Sequence, residues 1–168
     1  MLSLFPRRGR WGTYTLNIPM TTENSTLRSS KWTIETSRLS FETFGSPADG
    51  IRMECHIGVE DERGKIRTTV TALWDTGTSM TVITPDVARK LKPKVIDTIV
   101  LNGLGGTRRV PVCAASVLLP NGLAYGPIAM AIDVLPSADV LLGMDVISIG
   151  TFLLEPKPDG GTKFMFIL

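Results

Sequence analysis

The stretch Ala72-Leu73-Trp74-Asp75-Thr76-Gly77-Thr78-Ser79 decides how this chain is read. An apolar strand runs straight into an aspartate, and Thr-Gly then turns the chain. A carboxylate at the end of a buried strand is costly unless hydrogen bonds or a function compensate. A glycine two residues on lets the backbone turn tightly and bring its N–H up to the carboxylate. Taken alone, the triplet reads equally well as a turn or capping aspartate, so its surroundings carry the argument.

Upstream, Ile51–Val59 and Lys65–Trp74 are rich in apolar and β-branched residues. The charged run Glu60 to Gly64 between them predicts a hairpin. Downstream, Thr81-Val82-Ile83 reads as a short strand. Thr84, Pro85, Asp86 and then Arg89-Lys90 spell out a helix with a cap, a first-turn proline and charges matched to its dipole. Lys92-Pro93 stops it. Strands over Val95–Leu101 and Arg109–Leu119 flank the glycine-rich run Asn102-Gly103-Leu104-Gly105-Gly106-Thr107. Pro120-Asn121-Gly122 turns into Leu123–Ile132. Val140-Leu141-Leu142 is a short buried strand, Asp145–Ile149 a helical turn capped by Asp145, and Thr151–Leu154 pairs with Lys163–Ile167. The expectation is an all-β chain with one or two short helices, closed as a barrel or sandwich.

The order of these features resembles the retropepsin-like aspartic peptidases, and most of all their bacterial branch. There the aspartate sits in Ala-Leu-Trp-Asp-Thr-Gly, and Leu-Ile-Gly-Met-Asp-Ile-Ile follows later; here the later motif is Leu141-Leu142-Gly143-Met144-Asp145-Val146-Ile147. Gly143 stands 66 residues after Gly77, close to the family's spacing, with a glycine-rich hairpin between them. The resemblance covers roughly residues 50 to 168. It implies a closed acid-protease β-barrel with one lobe per chain, Asp75 as the catalytic carboxylate, and the run Asn102, Gly103, Leu104, Gly105, Gly106 and Thr107 as a flap over bound peptide. Thr76 is then the residue that bonds across a dimer axis, Gly77 lies against the carboxylate pair, and Leu142, Gly143 and Asp145 support the site, with Asp145 structural and not a second catalytic acid. Bilobal pepsins carry two triplets in one chain. This chain has one, since Asp49-Gly50 and Asp159-Gly160 lack a preceding apolar strand, so the resemblance implies a homodimer acting on a peptide or protein substrate.

Thr78 stands where retroviral members have alanine and pepsins have a hydroxyl. A hydroxyl donating to a carboxylate favours its charged form, so Thr78 is expected to bond the carboxylate pair and shift activity to more acid pH. Two positions depart from the retroviral pattern: Met144 replaces an arginine and Ser79 an acidic residue, so the terminal strands or the N-terminal arm are left to hold a dimer. Trp74, Met80, Ile83 and Leu104 are expected to line an apolar cleft. The rival reading is the same fold as a catalytically weak or inactive dimeric peptide-binding module.

Composition agrees with a soluble globular protein: of 168 residues, 43% are hydrophobic and 20% charged, with a net charge of +2 that gives no reason to expect a nucleic-acid partner. The cluster Arg7, Arg8 and Arg10 reads as part of a solvated arm. Residues 1–45 are polar and weakly periodic, an arm that is partly ordered and contributes a strand at Trp32–Ile34, while 46–168 form the domain. Cys55 and Cys113 are too few for a disulfide framework and read as buried free thiols. His56, the only histidine, neighbours Cys55 in a strand, which points the two to opposite faces and denies them a nucleophile–base pairing. No cofactor is expected, and no spacing of ligands suggests a metal. With no leader pattern and no run near the ~20 apolar residues of a membrane span, the expected location is the cytoplasm.

Overall fold

The computed structural model describes residues 14–17, 30–61, 64–103 and 106–168. The basic cluster Arg7, Arg8 and Arg10, the Glu62-Arg63 turn and the Leu104-Gly105 tip lie outside the described residues.

Six strands close a barrel. They are β4 (Arg52–Asp61), β5 (Gly64–Trp74), β10 (Val140–Leu142), β6 (Val82–Ile83), β9 (Ala124–Ile132) and β8 (Gly106–Leu118), in that order around the ring. Closure comes from β4 returning to β8, with His56 opposite Leu118 and Ile57 opposite Val117. Most pairings are antiparallel, but β10 runs parallel to β5 and β6 parallel to β9. A seventh strand, β7 (Val95–Gly103), pairs only with β8 among the described strands, so the β7–β8 hairpin projects beyond the closed ring.

A second sheet, ordered β1 (Tyr14–Asn17), β2 (Ser30–Glu35), β3 (Arg38–Thr43), β12 (Thr162–Ile167) and β11 (Thr151–Pro156), is antiparallel throughout. Alternation decides its inner face. Leu39 and Phe41 on β3 and Phe164 and Phe166 on β12 are buried, while their neighbours in sequence point away. These side chains share one core with the barrel. Trp74 lies against Phe166 at a ring distance of 4.7 Å, Phe164 at 5.4 Å and Phe152 at 6.1 Å. Aromatic pairs at such spacings add to the area that they bury. The strand ending in Asp75 is therefore anchored by the residue immediately before the aspartate.

The helices are short. In α1 (Pro85–Leu91), the Thr84 hydroxyl accepts from Val87 N, and Lys92 ends the helix in a left-handed conformation at φ 49°. In α2 (Met144–Ile147), the cap is Gly143, two residues earlier than expected, and not Asp145. The Asp145 carboxylate is instead engaged by Thr81, just before β6, as described below.

Candidate active site

Asp75 follows β5 directly. Because Leu142 on β10 lies beside Trp74 in parallel register, its carbonyl is placed to accept from Asp75 N at 3.0 Å. The chain then turns: Gly77 N donates to Asp75 Oδ1 at 2.8 Å, and Thr78 N approaches Asp75 O at 3.4 Å. A Cβ at Gly77 would stand 3.1 Å from that same Oδ1, closer than side chains ordinarily pack, so the glycine lets its N–H meet the carboxylate. Asp75 is half-buried, and Thr76 and Gly77 are exposed. The carboxylate thus sits at the surface of a single chain, held by one backbone donor.

Thr78 differs from expectation. Its hydroxyl donates to Met80 O at 3.4 Å and not to the Asp75 carboxylate, because the turn carries the side chain toward the following residues. Thr78 supports the loop in another way, its carbonyl accepting from Met144 N at 2.8 Å.

The 143–145 segment packs against the far end of the loop. A Cβ at Gly143 would fall 2.7 Å from the carbonyl carbon of Met80, so only a bare glycine allows the two backbones this approach. Asp145 N donates to Ser79 O at 3.3 Å. Its carboxylate accepts from Thr81 N at 2.9 Å and from the Thr81 hydroxyl at 2.7 Å. Nothing in the sequence singled out this threonine, since a Thr-Val-Ile run reads only as strand.

Beside the loop lies a small apolar cluster separate from the main core. Val82, Val110 and Ala131 form it, with Met80, Ile99, Leu101, Leu135 and Leu141 packed against them. Leu141 alternates with Val140 and Leu142, and Val82 precedes Ile83; those alternates belong to the main core. The cluster therefore occupies the other face of the same strands, roofed by Ile99 and Leu101 of the β7–β8 hairpin. Two residues expected in a cleft are elsewhere. Trp74 and Ile83 are buried in the main core, because alternation along β5 and β6 turns them inward. Met80 does join the second cluster.

In the β7–β8 hairpin, Asn102 pairs with Thr107 and Gly103 with Gly106, and the Thr107 hydroxyl donates to Asn102 Oδ1 at 2.8 Å. On the tip-side half of the hairpin, where Arg108 pairs with Leu101, Arg108 Nε donates to Asp133 Oδ2 at 2.8 Å.

Both cysteines are free and buried. Burial, followed by the charges of Glu54 and Asp139, pushes the Cys55 thiol up from 9.0 to about 12. Burial likewise raises Cys113 to about 11. Neither offers a thiolate at ordinary pH, so thiol chemistry has no nucleophile here. Among the described residues, no three His, Cys, Asp or Glu side chains converge as a metal site requires, and no helix is long and apolar enough to cross a membrane.

Comparison with known proteins adds to this geometry. No curated protein matches the chain. Among solved structures, it is similar to a retropepsin-like aspartic protease from Rickettsia conorii, with 16% sequence identity, 72% of this chain and 98% of that chain covered, and a TM-score of 0.41. The family model described as aspartyl protease matches residues 60–146, just over half of the chain, and spans Asp75 and the 141–145 motif. With the Asp-Thr-Gly loop set at the end of a buried strand of a closed β-barrel, this chain belongs to the aspartyl protease family.

Proposed function

We propose that the chain is an aspartic endopeptidase, active as a homodimer in which two Asp75 carboxylates share one water. The carrying observation is Asp75 itself: a half-buried carboxylate at the surface, braced by Gly77 N–H, in the one Asp-Thr-Gly triplet of the sequence. A second carboxylate must then come from a second chain, and a site shared by two identical loops lies on a twofold axis. Exposure of Thr76 suits a hydroxyl that bonds across that axis.

Two carboxylates about 3 Å apart cannot both ionise, so the pair holds one proton, and its titration steps belong to the pair. The ionised member takes a proton from the water as it attacks the scissile carbonyl carbon. The protonated member gives its proton to the carbonyl oxygen, forming a tetrahedral diol. Collapse returns a proton to the leaving nitrogen and breaks the C–N bond. The apolar cluster around Val82, Leu141 and Met80 supports apolar subsites beside the carboxylates. The β7–β8 hairpin serves as the flap over the peptide, with Asn102, Gly103, Gly106 and Thr107 on its two strands. Met144, 39% exposed, and the exposed Ser79 provide no ion pair for the dimer. The terminal strands take that part: β11 ends its sheet, and Leu154, Ile167 and Leu168 are exposed. Two buried free thiols suit a reducing compartment, and the cytoplasm is proposed.

The test compares the unmutated protein with Asp75→Asn on a peptide library across acid and neutral pH, with scattering to count chains. The expected result is cleavage by a dimer that is blocked by a statine-type analogue and lost in the variant. A persistent monomer, or a dimer that binds peptides without cutting them at any pH, refutes the proposal, and the second outcome identifies a binding module.

A further inference from the structure

We infer that Asp145 is a positioning residue for the Asp75 loop, working through Thr81; this rests on the peptidase reading above. Five hydrogen bonds stitch residues 78–81 to residues 143–145: Met144 N to Thr78 O, Asp145 N to Ser79 O, Gly143 N to Thr81 Oγ1, Thr81 N to Asp145 Oδ2, and Thr81 Oγ1 to Asp145 Oδ1. Together with Asp75 N on Leu142 O, they tie both ends of the loop to one short segment. The side-chain half of this clamp is buried where it matters, since Thr81 is 0% exposed.

A carboxylate is required by the count of donors. Asp145 Oδ1 also accepts from Val146 N at 2.9 Å, so two N–H groups and one hydroxyl converge on two oxygens that need donate nothing. Asparagine offers one oxygen and an NH₂. With its oxygen toward Thr81 N, the NH₂ takes the place of Oδ1, where it faces the Thr81 hydroxyl proton and Val146 N–H, the latter also bonded to Gly143 O at 3.0 Å; with its oxygen toward Val146 N, the NH₂ faces Thr81 N–H. Either way one buried donor meets another donor, and the segment must shift to relieve it. Thr81 immediately precedes β6, which leads away from the Asp75 loop, so such a shift passes to Asp75 through Met80 and Thr78. Reaction geometry tolerates little of this: a displacement of about 1 Å costs on the order of 100-fold in rate.

The experiment measures kcat and KM per active site, with sites counted by titration with a tight statine-type analogue. For Asp145→Asn, kcat per titrated site is expected to fall roughly 10- to 100-fold, with KM changed much less. Thr81→Val, which keeps shape and loses the hydroxyl, should fall similarly, while Thr81→Ser should stay within a few-fold of the unmutated enzyme. The two Thr81 variants stand in should Asp145→Asn fold poorly. If kcat per titrated site is unchanged in Asp145→Asn, or Thr81→Ser and Thr81→Val are alike, the residue only supports the fold and the inference is wrong. Absence of Asp75-dependent cleavage by the unmutated protein overturns the peptidase reading together with it, whereas a cleaving enzyme indifferent to Asp145 overturns this inference alone.

Discussion

Arg108 and Asp133, 25 residues apart in sequence, are joined by a charged hydrogen bond of 2.8 Å between Nε and Oδ2. Arg108 stands opposite Leu101, toward the tip of the β7–β8 hairpin. Asp133 directly follows β9 and is itself tied to the barrel, its N–H donating to Ile83 O at 3.0 Å. The bond therefore fastens the projecting hairpin to the ring. Arg108 is half-exposed while Asp133 is 12% exposed, so solvent screens the pair and its worth to overall stability stays below about 1 kcal/mol. Its leverage is on the hairpin. In Asp133→Asn, KM for peptide should rise several-fold with little change in melting temperature, and added salt should raise KM in the unmutated enzyme more than in the variant. Equal salt dependence in both would show that the pair does not hold the hairpin over substrate.

Thr78 makes a sharp case because its hydroxyl proton has a visible destination. With that proton on Met80 O, Thr78→Ala removes nothing from the Asp75 carboxylate. The acidic limb of the pH–rate profile should stay in place. Movement of that limb to higher pH would show instead that the hydroxyl turns to the carboxylate when two chains meet.

Gly143→Ala places a Cβ 2.7 Å from the Met80 backbone carbon. Backbone on both sides must separate, and overpacking of this kind costs about 1–3 kcal/mol. Chemical denaturation should register that loss with an unchanged slope, and cleavage should fall with it. A variant as stable as the original would mean that α2 moves away from the loop without penalty.

The two thiols bear on pH in a defined direction. Both folded values lie above 9.0, so the unfolded chain ionises first as pH rises. The resulting stability is present in full below about pH 9 and is lost as pH climbs toward about 11 and about 12. Replacing both Cys55 and Cys113 with alanine should flatten the alkaline fall in melting temperature, and native protein should resist alkylation at mildly basic pH. Rapid labelling of folded protein would contradict the burial of both sulfurs.

Local patterns are what the sequence by itself determined. Strand alternation, the capped helix after Thr84 and the apolar run into Asp75 depend on neighbours within a few residues, and they were legible because period and capping are short-range physics. The closed all-β barrel followed from them together with the family resemblance. Only the tertiary structure decided which face each alternation presents and who meets whom across the ring. Trp74 and Ile83 turned into the core, the Thr78 proton went to Met80, Asp145 found Thr81, and Arg108 found Asp133. Apart from the Thr78 contact, which the local turn sets, each of these depends on strand register and on the closure of β4 onto β8, which packing of the whole barrel selects at once. A linear pattern carries no such information, because two donors 64 residues from one carboxylate become its neighbours only when the ring is shut.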